Sequence, residues 1–171
     1  PAVRSIYELP LSDDVLDEVR EEMRSLGSYI ALNLEGSSQE RTFSLSIAEN
    51  LIAKIQSETD IPIVIVYGPK GEDKARALVD CYNNVYRLSL SPSIKRSAAI
   101  IKDAYIAITP DTSISHMASA YNTPVVAIYA DYKTRWPAMA DVSESVVVGQ
   151  KIDNISLDEF AKALKSVLAR I

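Results

Sequence analysis

The chain has 171 residues, 47% of them apolar and 24% charged, with 18 basic and 23 acidic residues and a net charge of −5. This length and composition predict one globular domain with a sizeable core, and the lack of a basic block disfavours a nucleic-acid partner. The sequence has no apolar run of about 18 residues, the length of a membrane-spanning helix. Its single cysteine, Cys81, excludes an internal disulfide, suits a reducing compartment and is typical of a small buried apolar residue.

The first predicted element is an acidic amphipathic helix over residues 13–26. One face of this helix is apolar and carries Val15, Val19, Met23 and Leu26. Gly27 ends the helix. The helix comes before the first predicted strand and forms no strand–helix unit with a strand of its own. We therefore predict that residues 1–28 form a linker helix segment that enters a domain formed by residues 29–171.

Short apolar strands then alternate with helical patterns. The predicted strands are residues 29–34, 61–67, 84–88, 104–109, 124–129 and 145–148. The predicted helices are residues 45–57, 71–82, 93–103, 112–122 and 156–170. Near-continuous apolar runs such as IPIVIVY are typical of strands buried on both faces of a parallel sheet. The pattern predicts an α/β fold, a doubly wound, Rossmann-like parallel sheet of about six strands with right-handed crossovers.

Sheets of this kind bind ligands outside the carboxyl ends of their strands, where the strand order reverses. With the strand order 3-2-1-4-5-6, that crevice lies between the first and fourth strands. The loops that follow these strands are residues 35–43 and 110–113. We therefore expect the functional residues in these two loops.

The fourth strand leads directly into a helix through small polar residues, in the segment ITPDTSISHMA. Asp111 or Thr112 can cap this helix, and the N–H groups of its first turn, with the helix dipole, suit a pyrophosphate. Thr112, Ser113 and Ser115 add hydroxyl donors. The same residues are equally typical of an ordinary capped helix start, so the residues alone leave both interpretations open.

The longer stretch ITPDTSISHMASAYNTPVVAIY resembles the donor-site signature of glycosyltransferase family 9, the heptosyltransferase-like enzymes of bacterial lipopolysaccharide core synthesis. The family pattern is an apolar strand, Asp, Ser or Thr, Gly, two variable residues, His, an Ala-rich helix, then Pro and a second apolar strand. Asp111, Thr112, His116 and Pro124 fit this pattern. Ser113 stands where the family usually has Gly, and its side chain narrows the approach to a phosphate.

Four loops resemble other parts of the family's donor site, in the same order along residues 29–170. In the first, NLEGSSQERTFS, Arg41 matches a basic residue that reaches the donor phosphates, and an arginine can bind phosphate bidentately. Leu34 stands where the family usually has proline. The second loop assigns Glu72 to the ribose hydroxyls, and the third assigns Ser91 and Pro92 to the nucleobase. The fourth, residues 131–137 (DYKTRWP), would face the sugar.

The resemblance implies the carboxy-terminal, donor-binding half of a GT-B-type glycosyltransferase. The reaction would move a sugar, typically heptose from ADP-heptose, to a lipopolysaccharide core acceptor or another glycan. The donor is then a substrate, and no cofactor is expected. Because the sequence has no Asp-x-Asp pair, we expect no metal, and leaving-group charge would be stabilised by Arg41, Thr112 and the helix N-terminus after Pro110.

The site implied by the resemblance is defined by its donor-binding residues, of which Arg41 and Asp111 are also expected to be catalytic. These residues are Asn33, Arg41, Glu72, Ser91, Pro92, Asp111, Thr112, Ser113 and His116. The acceptor and the general base would belong to an amino-terminal domain, so we expect this chain to bind the nucleotide with little or no turnover. The location would be cytoplasmic, with peripheral contact to the inner face of the inner membrane in the full-length protein.

Each of these residues also has a structural interpretation. Glu72 is favoured in the first turn of a helix regardless of function, a lone histidine such as His116 is usually structural, and Arg41 suits a solvated surface. Lys133 and Arg135 are typical of solvated cations, and Trp136 of loop packing. For the chain as a whole, a non-catalytic α/β nucleotide-binding or interaction module and a nucleotide-sugar enzyme such as an epimerase stay open. A crevice lined by Arg41, Glu72, Asp111 and Thr112 would favour an enzyme.

Overall fold

Strands and helices alternate through the computed structural model, which describes residues 9–131 and 137–171. The strands are β1 (Ile30–Asn33), β2 (Ile63–Val66), β3 (Val85–Tyr86), β4 (Ile106–Pro110), β5 (Val125–Tyr129) and β6 (Ser143–Val147). The helices are α1 (Asp13–Met23), α2 (Leu45–Glu58), α3 (Glu72–Cys81), α4 (Ile94–Asp103), α5 (Ser113–Tyr121) and α6 (Leu157–Arg170). Among the described residues, none of these helices has the length and apolar character needed to cross a membrane.

The strands form one parallel sheet with the order β3-β2-β1-β4-β5-β6. In its centre, Ile30 of β1 lies opposite Ile63 of β2 on one side and Ile106 of β4 on the other. The prediction of a doubly wound, Rossmann-like α/β fold is therefore confirmed, together with its strand order. The order reverses between β1 and β4, which places the crevice where the sequence predicted it.

Helices cover both faces of the sheet, and the four central strands are buried along their whole length. One face packs against α2, α3 and α6 through residues such as Leu51, Leu78 and Leu164. The other face packs against α1, α4 and α5 through residues such as Val19, Ile101 and Ala118. Burial on both faces explains why the strands are near-continuous apolar runs in the sequence.

Helix α1 lies against α4, with Leu16, Val19 and Met23 buried in the contact. Val15 and Leu26, two members of the predicted apolar face, are only partly buried there. The helix is therefore part of one core of the domain. Its assignment as a linker segment stays a prediction.

The short strand β3 and the position of Cys81 both depart from the sequence-based predictions. Only residues 85–86 of the predicted strand 84–88 pair with β2, because Asn84 turns into the strand with a φ of 61° and the strand lies at the edge of the sheet. Cys81 is exposed rather than buried. The inward stripe of α3 runs through Ala75 and Leu78 to Tyr82, which leaves Cys81 facing solvent.

Candidate functional site

Asn33 joins the two central strands at the point where the strand order reverses. It ends β1, and the residue is 3% exposed. The two hydrogens of Nδ2 are directed to the Glu35 carbonyl at 2.9 Å and Thr109 Oγ1 at 3.1 Å, with Thr112 Oγ1 at 3.4 Å as a shared third acceptor. The loops that follow β1 and β4 are thus held side by side at the floor of the crevice.

Arg41 and Asp111 meet across this crevice. The distance from Arg41 Nη1 to Asp111 Oδ2 is 3.4 Å, and the side chains are 44% and 19% exposed. The Asp111 amide donates to the Ile128 carbonyl at 2.9 Å, which fixes the start of the loop after β4. The structure therefore brings together the two residues that the sequence predicted as catalytic.

The position of Arg41 depends on the way in which the loop after β1 folds back on itself. Thr42 Oγ1 accepts from the Gly36 amide at 3.2 Å and donates to the Ser38 carbonyl at 2.9 Å. A Cβ atom on Gly36 would lie 2.3 Å from the Arg41 carbonyl oxygen and 2.4 Å from Arg41 Cβ. Only glycine allows this approach. Gly36 and Thr42 were not predicted, although a glycine three residues after a buried strand was a visible signal.

Thr112, rather than Asp111, caps helix α5. Its hydroxyl accepts from the Ile114 amide at 3.0 Å, and its carbonyl accepts from the Ser115 amide at 3.1 Å. Two N–H groups of the first turn are thus bonded within the turn. The Ser115 hydroxyl is buried and donates to the Thr112 carbonyl at 2.7 Å, so the expectation that it faces a ligand is wrong. Ser113 and His116 are exposed on the first turns of the helix.

Glu72 belongs to a second polar cluster, at the ends of β2 and β3. Its Oε1 atom lies 3.1 Å from Arg87 Nη1 and 3.3 Å from Arg76 Nη2, and Arg87 Nη1 also donates to the Tyr67 hydroxyl at 3.0 Å. Desolvation raises the pKa of Glu72, but hydrogen bonds from Tyr67 and Arg76 and the charges of both arginines outweigh it and lower the pKa. The carboxylate is thus held in the ionised form that accepts hydrogen bonds from hydroxyl groups. Sequence analysis did not predict Arg87 or Tyr67.

Glu35 connects the loop after β1 to the loop that leads into the Glu72 cluster, and it too was not predicted. Its Oε2 atom accepts from the Gly68 amide at 2.6 Å. A Cβ atom on Gly68 would lie 2.8 Å from Glu35 Oε2, and one on Gly71 would lie 2.7 Å from Glu35 Oε1. The two glycines of the YGPKG segment therefore make room for a carboxylate that joins the loop after β1 to the loop after β2.

Ser91 and Pro92 lie in the loop between β3 and α4. Pro92 lines a small cleft with Tyr67, Leu88 and Ile100, next to the Glu72 cluster, because Tyr67 belongs to both. Ser91 is exposed, and its carbonyl accepts from Arg96 Nη1 at 2.8 Å. These residues are on the β2–β3 side of the crevice, whereas Arg41 and Asp111 are at its centre.

Part of the predicted sugar-facing loop, including Lys133, Arg135 and Trp136, lies outside the described residues. Within residues 9–131 and 137–171, no three His, Cys, Asp or Glu side chains are grouped so that they could hold a metal ion.

A model of one protein family matches most of the chain. Residues 13–162 match glycosyltransferase family 9 (heptosyltransferase). The match extends over α1, the crevice and the first turns of α6. It includes every residue of the predicted site.

Solved structures show the same fold at low sequence identity. ADP-heptose lipopolysaccharide heptosyltransferase II of Escherichia coli is 15% identical, with a TM-score of 0.76 over 95% of this chain and 54% of that protein. The E. coli heptosyltransferase WaaC with ADP is 16% identical, with a TM-score of 0.70 over 94% of this chain and 51% of that protein. The chain therefore spans about half the length of the solved structures it matches.

A short segment of the chain is nearly identical to a curated protein. YeeL of E. coli (strain K12) is 94% identical over 55 residues, which are 32% of this chain and 24% of YeeL. The similarity to YeeL is therefore confined to about a third of this chain.

Proposed function

The chain belongs to glycosyltransferase family 9, and we propose that it binds the nucleotide-sugar donor of a glycosyltransferase in the crevice between β1 and β4. The observation that carries this proposal is the Arg41–Asp111 contact of 3.4 Å, made by loops that follow two neighbouring parallel strands. An arginine at this position can bind a diphosphate through two parallel hydrogen bonds. The similarity to heptosyltransferases supports a donor of the ADP-heptose type.

The proposed chemistry is stabilisation of the leaving diphosphate. As the bond between sugar and phosphate breaks, negative charge grows on the diphosphate oxygens, and donors that face those oxygens lower the barrier. Arg41 supplies a permanent positive charge. Thr112 Oγ1 already accepts from the Ile114 amide, which leaves its own proton for a phosphate oxygen. Asp111 orients the guanidinium, so a bound diphosphate would share Arg41 with this carboxylate.

The Glu72 cluster is proposed as the ribose subsite. Its ionised carboxylate can accept hydrogen bonds from two ribose hydroxyls, while Tyr67, Arg76 and Arg87 keep its pKa low. Ser91 and Pro92 would then face the nucleobase, and Ser113 and His116 the phosphates or the sugar. No cofactor or metal is part of this proposal.

The acceptor and the general base are proposed to come from a second domain of a longer protein. The acceptor would be the lipopolysaccharide core or another glycan, met in the cytoplasm at the inner face of the inner membrane. The chain by itself would bind nucleotide with little or no turnover. A full-length enzyme that keeps its transfer activity in EDTA would support the metal-independent reaction, and activity lost in EDTA and restored by magnesium would contradict it.

Titration calorimetry with ADP, UDP and GDP tests donor binding. We expect ADP to bind and Arg41→Ala to weaken it by roughly 10- to 100-fold, because a hydrogen bond to a charged group contributes about 1.5–3 kcal/mol. Arg24→Ala is the matched control, because Arg24 is an exposed arginine that follows α1 and pairs with Glu21. No binding of any of the three nucleotides, or equal affinity in wild type and Arg41→Ala, would contradict the proposal.

A further inference from the structure

Helix α1 reaches past α4 to the loop between β3 and α4. The Glu22 carboxylate accepts from the Ser89 amide, and Glu18 pairs with Arg96 on the first turn of α4. This loop, residues 87–93, has neither helix nor strand geometry of its own. Side chains from α1 therefore supply part of what fixes its conformation.

Arg96 connects α1 to the same loop a second time. Its Nε and Nη2 atoms donate to the two carboxylate oxygens of Glu18 at 3.0 and 3.1 Å. Its Nη1 atom donates to the Ser91 carbonyl at 2.8 Å. The planar guanidinium can satisfy all three bonds only in one orientation. The bidentate bond to Glu18 thus fixes the direction in which Arg96 holds Ser91.

The loop held in this way forms one wall of the cleft at the nucleobase side of the proposed site. Leu88, Leu90 and Pro92 line that cleft from the loop, and Arg96 and Ile100 line it from α4. A shift of Ser89 or Ser91 would move these neighbours with it. The two anchors therefore lie within one or two residues of the side chains that shape the cleft.

We infer that Glu18 and Glu22 of α1 are positioning residues for nucleotide binding, because they set the conformation of the loop that forms the base side of the cleft. This inference rests on the proposed function. It assigns to α1 a part in donor binding although the helix lies outside the crevice. Neither carboxylate contacts the nucleotide; each acts through the backbone of residues 87–93.

Two similar ion pairs join α1 to α4, and they allow a controlled test. At the other end of α4, Arg20 Nε and Nη2 donate to the two oxygens of Asp103 at 2.6 and 3.0 Å. Glu18→Ala and Asp103→Ala each remove one carboxylate from a bidentate pair between the same two helices. Only Glu18 is connected to the loop, so the two variants separate loop positioning from general loss of helix contact.

The first measurement is hydrogen–deuterium exchange without nucleotide. We expect the amides of residues 88–91 and of Ser93 to exchange faster in Glu18→Ala and Glu22→Ala than in wild type and Asp103→Ala. Glu22→Gln keeps an acceptor oxygen for the Ser89 amide and should restore most of the protection. Unchanged exchange in both alanine variants would overturn the inference, whatever the chain binds.

The second measurement is the ADP dissociation constant by calorimetry. We expect Glu18→Ala combined with Glu22→Ala to raise it roughly tenfold, which corresponds to about 1.4 kcal/mol, and Asp103→Ala to leave it within twofold of wild type. Faster exchange with unchanged ADP affinity would overturn the inference and leave the proposed function intact. A wild-type chain that binds none of ADP, UDP and GDP would overturn the proposed function and the inference together.

Discussion

Arg41 and Asp111 form an ion pair that stability alone does not explain. A half-exposed pair between a loop arginine and an aspartate contributes about 0–1 kcal/mol to folding. Yet several contacts position it, including the Gly36 amide on Thr42 and the Asp111 amide on the Ile128 carbonyl. The contacts that position Arg41 thus exceed what this small gain in stability requires, which supports the proposal that Arg41 binds a ligand.

The glycine next to this arginine offers a residue-scale prediction. A Cβ on Gly36 would lie 2.3 Å from the Arg41 carbonyl, so Gly36→Ala should shift the loop, cost about 1–3 kcal/mol and weaken ADP binding. Gly27→Ala is the control, because Gly27 has a φ of 65° and open space around its Cβ position in the turn between α1 and β1. It should cost a similar free energy of unfolding through backbone strain without changing ADP affinity.

Chemical denaturation and calorimetry on both variants check this expectation. Equal ADP affinity in Gly36→Ala and wild type would show that Arg41 does not depend on the loop geometry. Equal loss of affinity in both variants would show that the effect comes from stability alone.

At this scale the sequence predicts some residues and misses others for identifiable reasons. Arg41 and Asp111 follow two strands that the predicted sheet order places side by side, so topology and the family pattern together predict their meeting. Glu35 and Arg87 are charged residues without a motif, and their roles depend on contacts with loops more than ten residues away. Ser115 was misassigned because its position in the sequence does not show whether its hydroxyl bonds to a ligand or to the backbone of its own helix turn.

At the scale of elements, the caps of α5 and α6 are chemically similar but differ in location. Thr112 accepts from the Ile114 amide at the crevice, and Ser156 accepts from the Glu159 amide at the start of α6. Removing either hydroxyl exposes an unsatisfied helix N–H group, which costs about 1 kcal/mol. Only Thr112 has a proposed ligand to lose.

We therefore expect Thr112→Ala and Ser156→Ala to lower the free energy of unfolding by similar amounts, about 0.5–2 kcal/mol. Thr112→Ala should in addition weaken ADP binding about tenfold, because a hydroxyl bond to a charged phosphate is lost. Urea denaturation and calorimetry give the two quantities. Thr112→Ala with wild-type affinity would remove this hydroxyl from the proposed site.

The element boundaries show which parts of the fold the sequence defines. The four central strands, β1, β2, β4 and β5, lie within a few residues of their predicted positions. A continuous apolar run is stable only where both faces of the strand are buried, so its place in the sheet can be predicted. The edge strand β3 is much shorter than predicted. Because β3 pairs with a neighbouring strand on one side only, Arg87 can leave the strand, and its side chain bonds to the Tyr67 hydroxyl. The contact of α1 with α4 depends on tertiary packing that helical periodicity does not encode.

On the scale of the whole molecule, two apolar clusters lie on opposite faces of one sheet. Ile101 and Leu164 belong to different clusters and are both fully buried. Each cluster is completed by the same central strands, so neither is expected to persist without the other. The domain should therefore unfold as one cooperative unit.

Ile101→Ala and Leu164→Ala test this cooperativity. Each should lower the free energy of unfolding by about 2–5 kcal/mol through loss of burial and a residual cavity. Both should move the midpoint of one urea transition and leave its slope unchanged, followed in parallel by tyrosine fluorescence and far-ultraviolet circular dichroism. A variant in which the two signals separate would show that one face unfolds on its own.

Glu35 and the two glycines that face it also restrict how this sequence can change over generations. A side chain at position 68 or 71 would displace the Glu35 carboxylate from its present position. A shorter residue at position 35 would leave the Gly68 amide without its acceptor. Each change disturbs the contact between residue 35 and the loop after β2, so we expect the acid and the two glycines to vary together among descendants of this sequence.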